Sequence, residues 1–315
     1  ETREAAESPF DAEVEQPLTE AVRFQQDAIG DTFRAKMIRD AVTSPDGRTL
    51  VFHAVGHLYR MALPDGTPER LTSADHFEYD PAFSPDGRRI VYTTWDDDEY
   101  GSVRTIGVDG SNPQVIVSRP GYYHEPQFSP DGRAIVYRRA SGNSLLGTLH
   151  GTETGIYGVS ARGGRPTLIT EEGREPRFNR DGNRIYFLTG GGLSKQYKSV
   201  DLNGGDERTH FNLRDVTTVV PSPNGRWVAF QELFNVYVAP FPKTGGAIEL
   251  TKDTKALPVA RVTEDAGNYL HWSPDSRSLR WTIGPEYFSI DLADAFDFLG
   301  GDEEVDPIAA AESVS

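Results

Sequence analysis

Four carboxylates of the chain occupy one repeated place. Asp40, Asp80, Glu125 and Glu175 each stand four residues before a near-identical turn sequence. The preceding residue is polar as well, giving Arg39-Asp40, Tyr79-Asp80, His124-Glu125 and Arg174-Glu175, while two further turns follow Thr217-Thr218 and Asn268-Tyr269. Brought to one place, this set could bind a ligand or a cation, with Arg39 and Arg174 gripping an anionic group. Two carboxylates facing each other could also serve as general acid and base in hydrolysis. The structural alternative is that the carboxylates accept hydrogen bonds from neighbouring repeats, because like charges brought close need partners.

The other chemistry-bearing residues are weaker candidates. Clustered carboxylates at Asp96, Asp97 and Asp98 could hold Ca²⁺, but their spacing matches no EF-hand loop, and a solvated acidic loop is the favoured reading. His53 and His57 stand in "HAVGH", which lacks the Glu of a zinc-protease helix. Gly158-Val159-Ser160-Ala161-Arg162 fails the nucleophile-elbow pattern at its last position. Gly190-Gly191-Gly192 falls between strands, not before a helix, so it is no phosphate loop. The chain has no cysteine, which excludes disulfides, thiolate zinc sites and Cys nucleophiles together. No resident cofactor is expected.

The elements that must position these residues are set by the turns themselves. Ser-Pro-Asp-Gly begins at 44, 84 and 129, and near-copies begin at 179, 222 and 273, so the period runs from 40 to 51 residues. Pro presets the turn, Asp suits its third place, and Gly supplies positive φ where the hairpin closes. Ser276 replaces that Gly in the last copy, a left-handed placement costing about 1–2 kcal/mol. An alternating strand follows each turn, such as Arg89-Ile90-Val91-Tyr92, then a third and a fourth. Four strands in each of six repeats predict an all-β fold: a six-bladed β-propeller of four-stranded antiparallel blades, starting near 39, 79, 124, 174, 217 and 268. The last repeat is one strand short, and residues 21–26 of the N-terminal part are expected to close it, since an open blade exposes an edge. Residues 1–20 then form an acidic extension, 21–295 the propeller, and 296–315 an acidic tail or linker.

With 32 basic against 48 acidic residues the net charge is −16. Such a surface repels phosphate backbones, which argues against nucleic acid and anionic membranes as partners. No apolar run reaches the length of a membrane span, so no membrane insertion is expected. The apolar run from Leu233 to Phe241 is expected to be one buried strand. The long blade-three insert carries Leu145, Leu146, Leu149 and His150, and its apolar character fits docking onto another domain or, equally, a loop packed on itself. The sequence begins at Glu1, in keeping with removal of a secretory signal.

The six Ser-Pro-Asp-Gly-type turns, each followed by an apolar strand, make residues 33–295 resemble the TolB-type propeller, a relative of the WD-repeat propellers. More narrowly, "GYYHEPQFSPDG", "GTETGIYGV", "NVYVAPFPKTGG" and "GNYLHWSPDS" resemble the propeller that precedes a metal-dependent amidohydrolase domain in large secreted bacterial proteins. That resemblance implies a non-catalytic, periplasmic or extracellular module that binds, or gates access to, an amidohydrolase domain or partner chain. The family's metal ligands include a His-x-His pair; this sequence has none, so those catalytic residues have no counterpart here. A free-standing envelope propeller that binds other proteins is the alternative, and a propeller hydrolase using the channel carboxylates is the third reading.

Overall fold

The computed structural model describes residues 11–13, 15, 34–140, 153–243, 245–296 and 312–314. Residues 1–34 and 35–315 form separate units, and the fold described is that of the second.

Its strands follow the repeat. Blade one holds β1 (Arg39–Thr43), β2 (Thr49–Ala54), β3 (His57–Ala62) and β4 (Glu69–Arg70). Blade two holds β5 (Phe77–Phe83), β6 (Arg89–Trp95), β7 (Gly101–Gly107) and the first part of β8 (Gln114–Phe128). The same β8 runs on as the inner strand of blade three, which adds β9 (Ala134–Ala140), β10 (Gly155–Ser160) and β11 (Thr167–Thr170). Blade four is β12 (Arg174–Phe178), β13 (Arg184–Gly191), β14 (Ser194–Asp201) and β15 (Arg208–Leu213). Blade five is β16 (Val216–Pro221), β17 (Trp227–Glu232) and β18 (Asn235–Pro240); its chain then crosses to pair β19 (Ile248–Glu249) in parallel with β15 before returning as β20 (Ala260–Arg261). Blade six is β21 (Asn268–Trp272), β22 (Ser278–Ile283) and β23 (Glu286–Asp291), followed by α1 (Leu292–Ala295) and β24 (Glu312–Val314).

The fourth strand of the last blade comes from the C-terminal side. β24 pairs antiparallel with β23, whereas the expected residues 21–26 lie outside the described residues. Either end of the chain would satisfy the same need, which is to cover the open ladder of β23.

Each turn is held by its own side chains. In blade one the Gly47 amide donates to the Ser44 carbonyl at 2.9 Å, and Ser44 Oγ accepts from Thr49 N at 2.9 Å while donating to Asp46. Ser276 does adopt φ 63°, and its hydroxyl accepts the Asn224 amide of blade five at 2.9 Å, which offsets part of the strain.

The core lies between blades. Val51 and Leu58 of blade one pack on Ile90, Tyr92 and Ile106 of blade two, and each later pair of blades repeats the arrangement. Burying each such side chain contributes about 1.5–3 kcal/mol. Blade six closes on blade one through Thr43 Oγ1, 2.9 Å from His271 Nε2, and through Ile38 N, which donates to Gly284 O at 3.0 Å.

The run from Leu233 to Phe241 is not one buried strand. Leu233 and Phe234 form the β17–β18 hairpin tip, 58% and 74% exposed, and the strand begins only at Asn235. Pairing of Glu232 with Asn235 leaves just two residues for the reversal, and that geometry overrides their apolar character.

Candidate functional site

The repeated carboxylates are placed by a repeated backbone irregularity. The inner strand of every blade carries a register shift against its neighbour near its first residues. At that shift Asp40, Asp80, Glu125, Glu175 and Tyr269 take φ of 50°, 51°, 55°, 54° and 56°. A bulge with a left-handed residue turns its side chain away from the sheet normal, here toward the next blade.

The result is a relay around the channel mouth. The Asp80 amide acts as a hydrogen-bond donor to the Asp40 carboxyl. Asp80 Oδ2 accepts the Glu125 amide at 3.1 Å, and Glu125 Oε2 accepts the Glu175 amide at 2.6 Å. Glu175 Oε1 takes Thr218 Oγ1 at 3.4 Å, and there the carboxylates end. Arg138 forks Glu125 at 3.0 and 3.1 Å, while His124 Nδ1 lies 3.2 Å from Asp80 Oδ2. The backbone amides come from the next blade round, and His124 reaches Asp80 from there too, whereas Arg138 belongs to the same blade as Glu125. Burial, then the charge of Asp80, pushes Asp40 up to about 7; burial, then the charge of Glu125, does the same for Glu175.

The remaining predicted residues surround this relay. Arg39 is exposed, and Arg174 Nη1 donates to Gly190 O at 3.1 Å. Tyr79 packs at a tilt against His53 with ring centres 5.1 Å apart, and both His53 ring nitrogens are buried without a hydrogen-bond partner among the described residues. Burial drives that imidazole toward its neutral form. Asn268 Oδ1 receives Gln231 Nε2 at 3.3 Å. Leu145, Leu146, Leu149 and His150 lie outside the described residues; the strands on either side, β9 and β10, pair at Arg139 and Gly155. In the acidic loop Asp96 Oδ1 accepts the Asp98 and Glu99 amides at 2.9 Å, and Asp97 accepts Trp95 Nε1 at 2.9 Å. Among the described residues no group of three or more His, Asp or Glu is arranged to hold a metal ion.

Sequence reasoning missed the apolar rim. Arg39 pairs with His53 and Ala54 with His57, so each inner strand begins beside a β2–β3-type hairpin tip. Val55, Tyr100, Leu193, Leu233 and Phe234 occupy those tips at 59%, 52%, 65%, 58% and 74% exposure. Met37 and Phe77 join them, so seven of the ten exposed large apolar side chains among the described residues crowd this one face. Four of the tip residues are also strained: Val55, Tyr100, Leu233 and Phe234 have φ of 51°, 64°, 47° and 76°. Asn and Gly are the residues such turns prefer. The signal was present in "AVGH" and "ELFNV", where bulky residues stand at two-residue reversals.

No protein-family description and no curated protein matches the sequence. Solved structures do resemble it. TolB of Acinetobacter baumannii superposes with a TM-score of 0.57 at 18% identity over 80% of this chain and 60% of that one. A gluconolactonase of Xanthomonas campestris gives 0.60 at 17% identity over 80% and 84%. An oligogalacturonate lyase in complex with manganese gives 0.54 at 13% identity over 77% and 72%. One fold thus carries TolB and two different enzymes, and a likeness at this identity concerns fold alone. Among the described residues no helix is long and apolar enough to cross a membrane.

Proposed function

Starting from a TolB-like β-propeller, we propose that this chain is a docking module whose channel-mouth face binds another protein surface. The observation that carries this reading is the ring of strained, exposed apolar hairpin tips around the mouth. Left-handed bulky residues each cost about 1–2 kcal/mol, and strain of this kind persists where function uses it. Clustered exposed apolar groups mark interaction surfaces. The partner we assign is a metal-dependent amidohydrolase domain, in cis or as a separate chain, in the bacterial envelope or outside the cell. The sequence resemblance supports that identity, and the channel leading from the rim would limit which substrates reach the partner. Acid–base catalysis by the ring has less behind it, because Asp80 and Glu125 are engaged by backbone amides of the next blade.

A photo-crosslinking residue at Phe234, introduced into the protein in its native host, tests this. Crosslinks to an amidohydrolase domain, absent when the probe replaces Leu202 on the β14–β15 turn, are the expected result. Equal yield from both positions, or crosslinks only to other proteins, would overturn the assignment.

A further inference from the structure

At the opposite ends of the strands, where the six repeated turns gather, three seams share a packing that the seam between blades four and five lacks. In three successive seams the turn glycine sits against the proline of the preceding blade. A Cβ on Gly87 would lie 3.3 Å from Pro45, one on Gly132 3.6 Å from Pro85, and one on Gly182 3.4 Å from Pro130. At the next seam the proline is replaced by Arg180, and a Cβ on Gly225 would meet nothing within 4 Å. Two adjoining clefts of about 1040 and 540 Å³ open there, and both reach Gly225, Tyr186, Phe241 and Lys243.

We infer that this seam between blades four and five binds a small, multiply charged organic anion. Both departures from the repeat shift charge the same way: Arg180 adds a cation where other blades have proline, and Asn224 removes the carboxylate that the other five turns keep. Lys243 enters from the segment that crosses from blade five to pair with β15 of blade four. At the inner end Arg177 lines the cleft, and its Nε is buried with no hydrogen-bond partner among the described residues. The Asn224 side-chain oxygen is used by Ser222 Oγ at 2.8 Å and Arg226 N at 2.9 Å, so its amide group is the part left to donate.

Four carboxylates line the clefts, Asp181, Asp201, Asp206 and Glu207, and two of them are already neutralised. Asp206 is held by Arg184 and Arg208, both at 2.6 Å, and Glu207 by Lys198 at 2.8 Å. The wall is aromatic: Tyr186 and Phe241 have ring centres 5.6 Å apart, with His210 packed edge-on to both. Burial pushes His210 down to about 4, so it adds no charge at neutral pH. Carbon faces beside cationic and amide donors suit an organic body bearing carboxylate or phosphate groups. In a chain of net charge −16, Arg177, Arg180 and Lys243 gather three cations on this seam against the two carboxylates Asp181 and Asp201.

The test restores the repeat. Citrate and tripolyphosphate are titrated calorimetrically into the full chain at fixed ionic strength, and into R180P, N224D and the double variant. Saturable binding to the natural chain, weakened at least tenfold in R180P/N224D while thermal stability stays equal or rises, is expected. Preference for citrate would identify carboxylate chemistry and preference for tripolyphosphate phosphate chemistry; both support the site. Arg88, an exposed cation in the blade-two turn, gives the control R88E, which should bind as the natural chain does. Absence of binding by either probe at millimolar concentration, equal affinity in the double variant, or equal loss in R88E would overturn the inference. Should R180P not fold, N224D and K243E carry the same comparison.

Discussion

Phe230 and Phe234 lie on one hairpin and are held in opposite ways. Phe230 is fully buried, whereas Phe234 is 74% exposed at φ 76°. Replacing Phe234 by Gly relieves a left-handed penalty of about 1–2 kcal/mol. It gives up the buried quarter of the ring, roughly 50 Å² of the 150–250 Å² a Phe offers, worth about 1 kcal/mol. A further 0.5–1 kcal/mol or so goes to the freedom Gly gains in the unfolded chain. These terms nearly cancel, so Phe234→Gly should leave stability within about 1 kcal/mol of the natural chain, or about 2–4 °C in Tm. Phe230→Ala should cost about 3–5 kcal/mol. Urea unfolding followed by tryptophan fluorescence measures both. In the docking assay Phe234→Gly should weaken partner binding at least tenfold, as loss of an interface anchor does. A loss of stability above about 2 kcal/mol would show that the ring supports the fold, and the argument from strain at the rim would fail. Unchanged stability with unchanged docking would remove Phe234 from the interface.

Three further outcomes follow from the relay and the closure. Glu175→Gln should flatten a loss of stability as pH rises: the folded carboxyl titrates near 7 against 4.5 unfolded, so the stabilisation present below 4.5 disappears progressively up to about 7. Melting temperatures from pH 4 to 8 read this directly. His271 behaves in the opposite sense. Burial pushes it down to about 4 from 6.5, so stability falls as pH drops through that interval, and His271→Asn should shrink that acid limb, which His210 shares, while weakening the bond to Thr43. Asp80→Ala leaves the Glu125 amide without its acceptor and should cost about 1–3 kcal/mol in urea unfolding, most of it recovered by Asp80→Asn.

Whatever the chain builds within a few residues of a turn was legible from its sequence. Ser44, Asp46 and Gly47 bond to one another and to Thr49, so the repeated motif, the strands that follow it and the propeller architecture could be read locally. The shared register of Asp40, Asp80, Glu125 and Glu175 was readable for the same reason. Their use was not: each carboxylate finds its partner in the next blade, 43 to 50 residues away for the three side-chain contacts. That meeting depends on how repeats of unequal length superpose. The apolarity of Leu233 and Phe234 pointed to burial, yet a two-residue reversal pushed them outward. The last edge strand came from 312–314, because an unpaired ladder accepts whichever segment reaches it. Likewise, a missing proline at Arg180 is one letter in the sequence; only the packing of blade on blade turns it into an open seam. Local hydrogen bonds therefore determined the elements, and contacts between repeats decided which of their residues are spent on the fold and which are left for partners.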